Sequence, residues 1–154
     1  MRSERMLLTA LLLLLACGRE AERPAEEPLP PPAAGAGEFP PEFSGVELRW
    51  TALVTPVERI DVQEPQHYTL KVLADGKLEI RADCNRAFGS IEFVDDHRVK
   101  IGALGSTRAM CPPGSHSQRF LQELERATTY FVRDGKLYLE LPYDSGTLHF
   151  ARAE

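Results

Sequence analysis

The chain has 154 residues, 43% of them hydrophobic and 27% charged, and its formal net charge is −5. This mildly acidic balance excludes the basic stripe that a nucleic-acid-binding domain needs. The sequence also has no run of Lys and Arg of the kind that holds a protein to anionic lipid headgroups.

The chain opens with Arg2 and Arg5, then an apolar run from Met6 to Ala16. A membrane-spanning helix needs about 20 apolar residues, roughly twice this length. The run closes on Leu14-Leu15-Ala16-Cys17, which resembles the lipobox of bacterial lipoproteins. That resemblance implies a signal peptide over residues 1–16, cleavage before Cys17, and acylation of Cys17 as the mature N-terminus. The membrane is then a partner through acyl chains alone. An ordinary signal peptide with a small-residue cleavage site is the competing reading, and it leaves Cys17 incidental. Removal of the leader takes away two arginines and one glutamate, so the net charge becomes −6. Gly18 follows the cysteine where some lipoproteins carry an acidic sorting residue. By that resemblance, the expected location is the periplasmic face of the outer membrane.

Residues 17–43 are expected to form a tether. Seven of the 12 prolines fall there, among Ala, Glu and Gly. Too few apolar residues are present to bury, and proline blocks regular pairing. Fully extended, the segment reaches on the order of 80 Å at about 3.1 Å per residue. A Pro-rich tract also suits aromatic-lined grooves, the alternative reading of the same composition.

The folded domain is expected over residues 44–154, with period two as its dominant signal. A first strand around Leu48 to Val54 carries the only tryptophan, Trp50. Tyr68, Leu70 and Val72 alternate with Thr69 and Lys71, and Asp75-Gly76 marks a hairpin. Leu78, Ile80 and Ala82 follow, then Ile91 and Phe93, a polar turn at Asp95-Asp96, and Val99 with Ile101. From Ser115 to Ala127 the period changes. Phe120, Leu121, Leu124 and Ala127 recur at helical spacing, and Ser115 with Gln118 resembles a capping box. Alternation then resumes through Phe131, a turn at Asp134-Gly135, the run Leu137, Leu139, Leu141, a turn at Asp144-Ser145-Gly146, and Leu148 with Phe150. The pattern predicts a mainly β fold: a small antiparallel β-barrel or strongly curled sheet of about eight strands with one amphipathic helix. A two-sheet sandwich is the alternative.

Three cysteines leave an odd thiol unless Cys17 is lipidated. Cys84 and Cys111 then form a pair that an oxidising compartment keeps as a disulfide. The competing reading is two reduced cysteines buried as small hydrophobes. Each lies at the end of a predicted strand, beside Asn85 in one case and Pro112 in the other.

Signs of enzymatic chemistry are sparse. His67, His97, His116 and His149 are scattered without metal spacing. Cys84 and Cys111 with His97 and His116 make a Cys2His2 set only on paper, lacking the short paired spacing of zinc sites. Cys111 with His116 as a nucleophile pair competes with the disulfide. Asp95-Asp96 reads as a solvated hairpin tip, and Ser106-Thr107-Arg108 as loop capping or a weak anion site. No catalytic residue, metal or cofactor is expected.

Two segments are distinctive: Asp83-Cys84-Asn85-Arg86-Ala87-Phe88-Gly89-Ser90, and Ser106-Thr107-Arg108-Ala109-Met110-Cys111-Pro112, followed by Phe120-Leu121 on the helix. With Trp50 and the closing Leu148-His149-Phe150, they resemble the META domain family, which includes HslJ-like heat-shock lipoproteins. The resemblance covers about 105 residues. Asp83 stands where Gly is more usual, and the order Ala109-Met110-Cys111 departs from Met-Ala-Cys, which moves Met110 to the other face of an extended segment. The resemblance implies a small β-rich envelope domain, linked in some members to stress or antibiotic tolerance, with no catalytic residues to carry over.

The motif reads as structural. Asn85 suits tight turns and bonds nearby backbone, Gly89 permits a bulge or close approach, and Arg86 and Arg108 are expected to cross-link loops through their donor forks. The expected function is non-enzymatic: a module that binds an unidentified envelope protein or helps maintain the envelope under stress. The alternative is a small hydrophobic ligand held in a barrel cavity.

Overall fold

Period-two alternation becomes ten strands and one α-helix in the structure, a computed structural model whose described residues are 39–153. The leader, Cys17 and most of the tether lie outside the described residues. The strands are β1 (Glu47–Val54), β2 (Arg59–Asp61), β3 (Tyr68–Val72), β4 (Lys77–Ala82), β5 (Asn85–Phe93), β6 (Val99–Ile101), β7 (Gly105–Ser106), β8 (Thr129–Arg133), β9 (Lys136–Glu140) and β10 (Thr147–Arg152); the helix α1 is Ser117–Arg126. Eight strands follow one antiparallel path, β6-β5-β4-β3-β1-β10-β9-β8, while β2 pairs with β1 and β7 with β5.

The two ends of that path meet. An isolated bridge joins Arg98 to Thr129. Val99 N–H donates to Thr128 O at 2.9 Å, and Tyr130 N–H donates to His97 O at 2.8 Å. The sheet is therefore a nearly closed barrel, and the sandwich alternative is set aside. Closure removes most exposed strand edge, which small β domains otherwise have to protect. The turns have a local cause. Asp134 and Gly135 both have positive φ, 52° and 69°, as a two-residue hairpin linking Arg133 to Lys136 requires. Asp95, read as a solvated tip, is a turn cap. Its carboxylate accepts from His97 N–H and Arg98 N–H and pairs with the Arg98 guanidinium. The guanidinium first, then the two N–H groups, hold its pKa down at about 2.

Alternate residues of β1, β3, β4 and β10 point inward. Trp50, Leu48, Leu53, Leu70, Leu78 and Phe150 are among the fully buried side chains. Helix α1 closes one end and inserts Phe120 and Leu124, both fully buried. The Phe120 ring stacks on Trp50 with centroids 4.8 Å apart, and Tyr68 meets Trp50 edge-on at 5.5 Å. On the helix's flank, Glu123 is buried between two arginines, Arg119 at 2.7 Å and Arg126 at 2.6 Å. Arg119 continues to Glu58 in the β1–β2 loop and Arg126 to Ser145, so α1 is pinned to the barrel by charge as well as by packing.

Three boundaries differ from expectation. Packed residues begin before Ser44: Phe43 is fully buried under the Arg152 guanidinium, and Phe39 lies 4.9 Å from the Phe93 ring. Those two aromatics outweigh the prolines around them. The helix starts at Ser117, and the capping box does not form. Ser115 Oγ instead accepts from Ser117 N–H, while His116 N–H donates to Tyr68 Oη. β5 starts at Asn85, directly after a tight turn in which Asp83 takes φ +57°.

Candidate functional site: a clamped loop beside a groove

The distinctive segments converge at the end of the barrel covered by α1. Asn85 opens β5 and is buried, with its side chain aimed across the sheet at the loop that follows β7. Its Oδ1 accepts from Ala109 N–H at 2.8 Å and from the Thr107 hydroxyl at 3.0 Å. Its Nδ2 lies 3.2 Å from Ala109 O, 3.2 Å from Cys111 Sγ and 3.3 Å from Ser117 Oγ. A primary amide alone among uncharged side chains offers both a carbonyl acceptor and two donors. One residue thus satisfies both polar groups of the Ala109 peptide and reaches the first residue of α1. Thr107 completes the clamp by accepting from Arg86 N–H at 3.0 Å, while its own N–H donates to Arg86 O.

Cys84, next to Asn85, is bonded to Cys111, 27 positions further along the sequence, with Cα atoms 5.4 Å apart. The disulfide thus ties the β4–β5 turn to the approach of α1. It also removes Cys111 from any nucleophile pair with His116, and both cysteines from a Cys2His2 set. Pro112 shapes the next turn, its carbonyl accepting from Ser115 N–H. Ser106 lies in β7 opposite Ala87. At Gly89 a Cβ would collide with Leu104 Cδ2, so the glycine makes room for the side chain that leads into β7.

The two motif arginines behave differently from expectation. The guanidinium groups of Arg86 and Arg108 cross-link nothing among the described residues; it is the backbone of Arg86 that holds Thr107. A charged side chain gains little from fixing itself in solvent, and both arginines are exposed. Phe88 points out of the barrel and is 61% exposed. Met110 is also fully in solvent, beside Ala109, whose backbone N–H and C=O the Asn85 side chain holds. The four histidines stay apart. His67 lies 3.8 Å from Glu64 and from Asp83, His116 packs edge-on against Trp50, and His149 meets the Tyr138 ring, where burial chiefly lowers its pKa.

Between the clamped loop and α1 runs an open groove of about 740 Å³. Ser106, Thr107, Arg108 and Pro112 form one wall, Gln118, Leu121, Gln122 and Glu125 the other, with Leu104 at one end. Glu125 fixes that end by accepting from Leu104 N–H at 2.6 Å. The groove lies outside the barrel. The space along the barrel axis is taken by Trp50, Phe120, Phe150 and their neighbours. The groove was not legible in the sequence, because its walls come from separate segments that the Asn85 bonds, the disulfide and the Glu125–Leu104 bond bring face to face.

The fold has solved counterparts. A protein from Burkholderia xenovorans, solved by NMR, aligns with a TM-score of 0.58 at 22% identity, covering 86% of this chain and 97% of that one. A DUF4847 family protein from Bacteroides vulgatus, a crystal structure, aligns with a TM-score of 0.51 at 14% identity, covering 71% and 93%. At these identities the likeness is one of fold. No curated protein matches the chain. The family model for the META domain matches residues 49–154, a span that contains the clamp, the disulfide and both walls of the groove. The chain belongs to the META domain family.

Proposed function

We propose that this protein is a lipid-anchored envelope lipoprotein, tethered through Cys17 at the periplasmic face of the outer membrane, whose META domain is a non-enzymatic binding module. The observation that carries the binding reading is the placement of the motif residues. Asn85, Ser106, Thr107, Arg108 and Pro112 are spent on building one wall of the groove, while the barrel interior is filled by side chains. Apolar Leu104 and Leu121 alternate there with Gln118, Gln122 and Ser106, a mixture suited to an extended segment of a partner protein. Fixed walls favour such binding, since less ordering entropy is lost on association. The anchoring reading rests on the sequence of residues 1–17, and export fits a bonded Cys84–Cys111 pair.

Two measurements test these parts separately. Metabolic labelling with a fatty acid is expected to mark the wild-type protein and not Cys17→Ser; label retained in the variant rejects the anchor. A photoreactive residue replacing Gln122 in the groove is expected to cross-link a partner in intact envelopes, and Leu121→Arg to abolish the product. Cross-links formed from Lys136, on the far side of the barrel, but not from Gln122 would reject the groove as the binding surface.

A further inference from the structure

The register of four neighbouring strands lines up a set of outward-facing residues that the sequence keeps apart. Arg49 in β1 lies opposite Thr69 in β3, Thr69 opposite Arg81 in β4, and Arg81 opposite Arg86 in β5. Adjacent strands are about 4.8 Å apart, so three arginines fall in one short row. Like charges directly opposite each other in an antiparallel pair destabilise a sheet. The chain has 23 acidic residues with which to neutralise the row. None of those among the described residues does so: the ion pairs there use Arg59, His67, Lys77, Arg98, Arg119 and Arg126. Among the described residues, Arg81 Nε donates only to the carbonyl of Asp83, at 3.3 Å, and Arg49 Nε is buried without a hydrogen-bond partner.

The next row along the strands adds Lys71, set between Glu47 and Glu79, and ends at the exposed ring of Phe88 opposite Glu79. A shallow depression of about 180 Å³ lies over this region, touching Thr69, Lys71, Arg81, Arg86 and Phe88 as well as the two glutamates. The face therefore carries excess positive charge on a molecule whose net charge is negative. It is a gently curved sheet surface, unlike the enclosed cradle that holds a single free phosphate. Arginines beside a solvent-exposed aromatic are the chemistry of a membrane interface, where rings settle at headgroup depth and cations meet phosphates.

We propose that this outer face of β1, β3, β4 and β5 docks onto the phosphate headgroups of anionic lipids in a bilayer, with Arg81 and Arg86 at its centre and Phe88 entering the interface beside them. The contact is independent of acylation and orients the domain on the membrane. The test uses the full chain carrying Cys17→Ser, so that no acyl chain contributes, with phosphatidylcholine vesicles prepared with and without phosphatidylglycerol. Flotation should show binding that requires phosphatidylglycerol and falls as salt is raised. R81Q/R86Q should reduce it roughly 25-fold, at about fivefold per basic residue. The charge-matched control R133Q/K136Q, on the other side of the barrel, should leave it unchanged, and neither variant should melt below the parent. Equal binding by R81Q/R86Q, or an equal loss in the control, would overturn the proposal. So would competition by inorganic phosphate at matched ionic strength, which would reassign the row to a free anion.

Discussion

Trp50→Ala is expected to cost about 3–5 kcal/mol of folding stability, as removal of a large buried aromatic does. Trp50 is fully buried, stacks on Phe120 and meets Tyr68 and His116 edge-on, so one substitution empties the junction between barrel and helix. The cavity would be walled by β-strands that cannot collapse into it. Trp50→Phe should cost much less. It keeps an aromatic stack, and the indole N–H it removes has no hydrogen-bond partner among the described residues. Denaturant unfolding of both variants checks this. A near-neutral Trp50→Ala, together with lost binding of a hydrophobic dye, would show that Trp50 lines a ligand cavity rather than a filled core.

Paired replacement of Cys84 and Cys111 by serine is the second large effect, with an expected loss of about 3–4 kcal/mol. The disulfide closes a loop spanning 27 positions, and a cross-link of that length restricts the unfolded chain by about this amount. The native fold should survive, because Asn85 still holds Ala109 through two hydrogen bonds. Thermal unfolding of the double variant and of the reduced parent should agree. A melting temperature unchanged by reduction would mean that the clamp alone determines the loop and that the bridge is redundant.

Much of the barrel was legible because its signals are local. Alternation in β4 and β9 fixes which side chains point inward, and Asp134-Gly135 specifies its hairpin by backbone conformation alone. β2 and β7 were not legible. At three and two residues they are too short to show a period, and tertiary contacts hold them in place. The cysteine pairing was legible from counting, whereas the role of Asn85 was only half so. Its type suggests turn chemistry, but its partners are 22 to 32 residues away. The arginine row was invisible for the same reason. Arg49, Arg81 and Arg86 form no cluster in sequence and become neighbours only through strand register. Phe43 misled in the opposite direction, since a Pro-rich setting hid a core residue.

The family motif is a clamp: Asn85 fixes the loop from Thr107 to Cys111, and that loop forms a wall of the groove. Amide hydrogen exchange at Ala109 in the parent protein and in Asn85→Ala tests it most directly. Ala109 N–H is on an exposed loop, and its hydrogen bond is to the Asn85 side chain at 2.8 Å. The parent should protect this amide well above its exposed neighbour Met110. Asn85→Ala should release it selectively, leaving Leu70, Ile80 and Leu139 in the barrel as protected as before. Rapid exchange at Ala109 in the parent, or protection unchanged by the substitution, would contradict the clamp and the reading of the groove built on it.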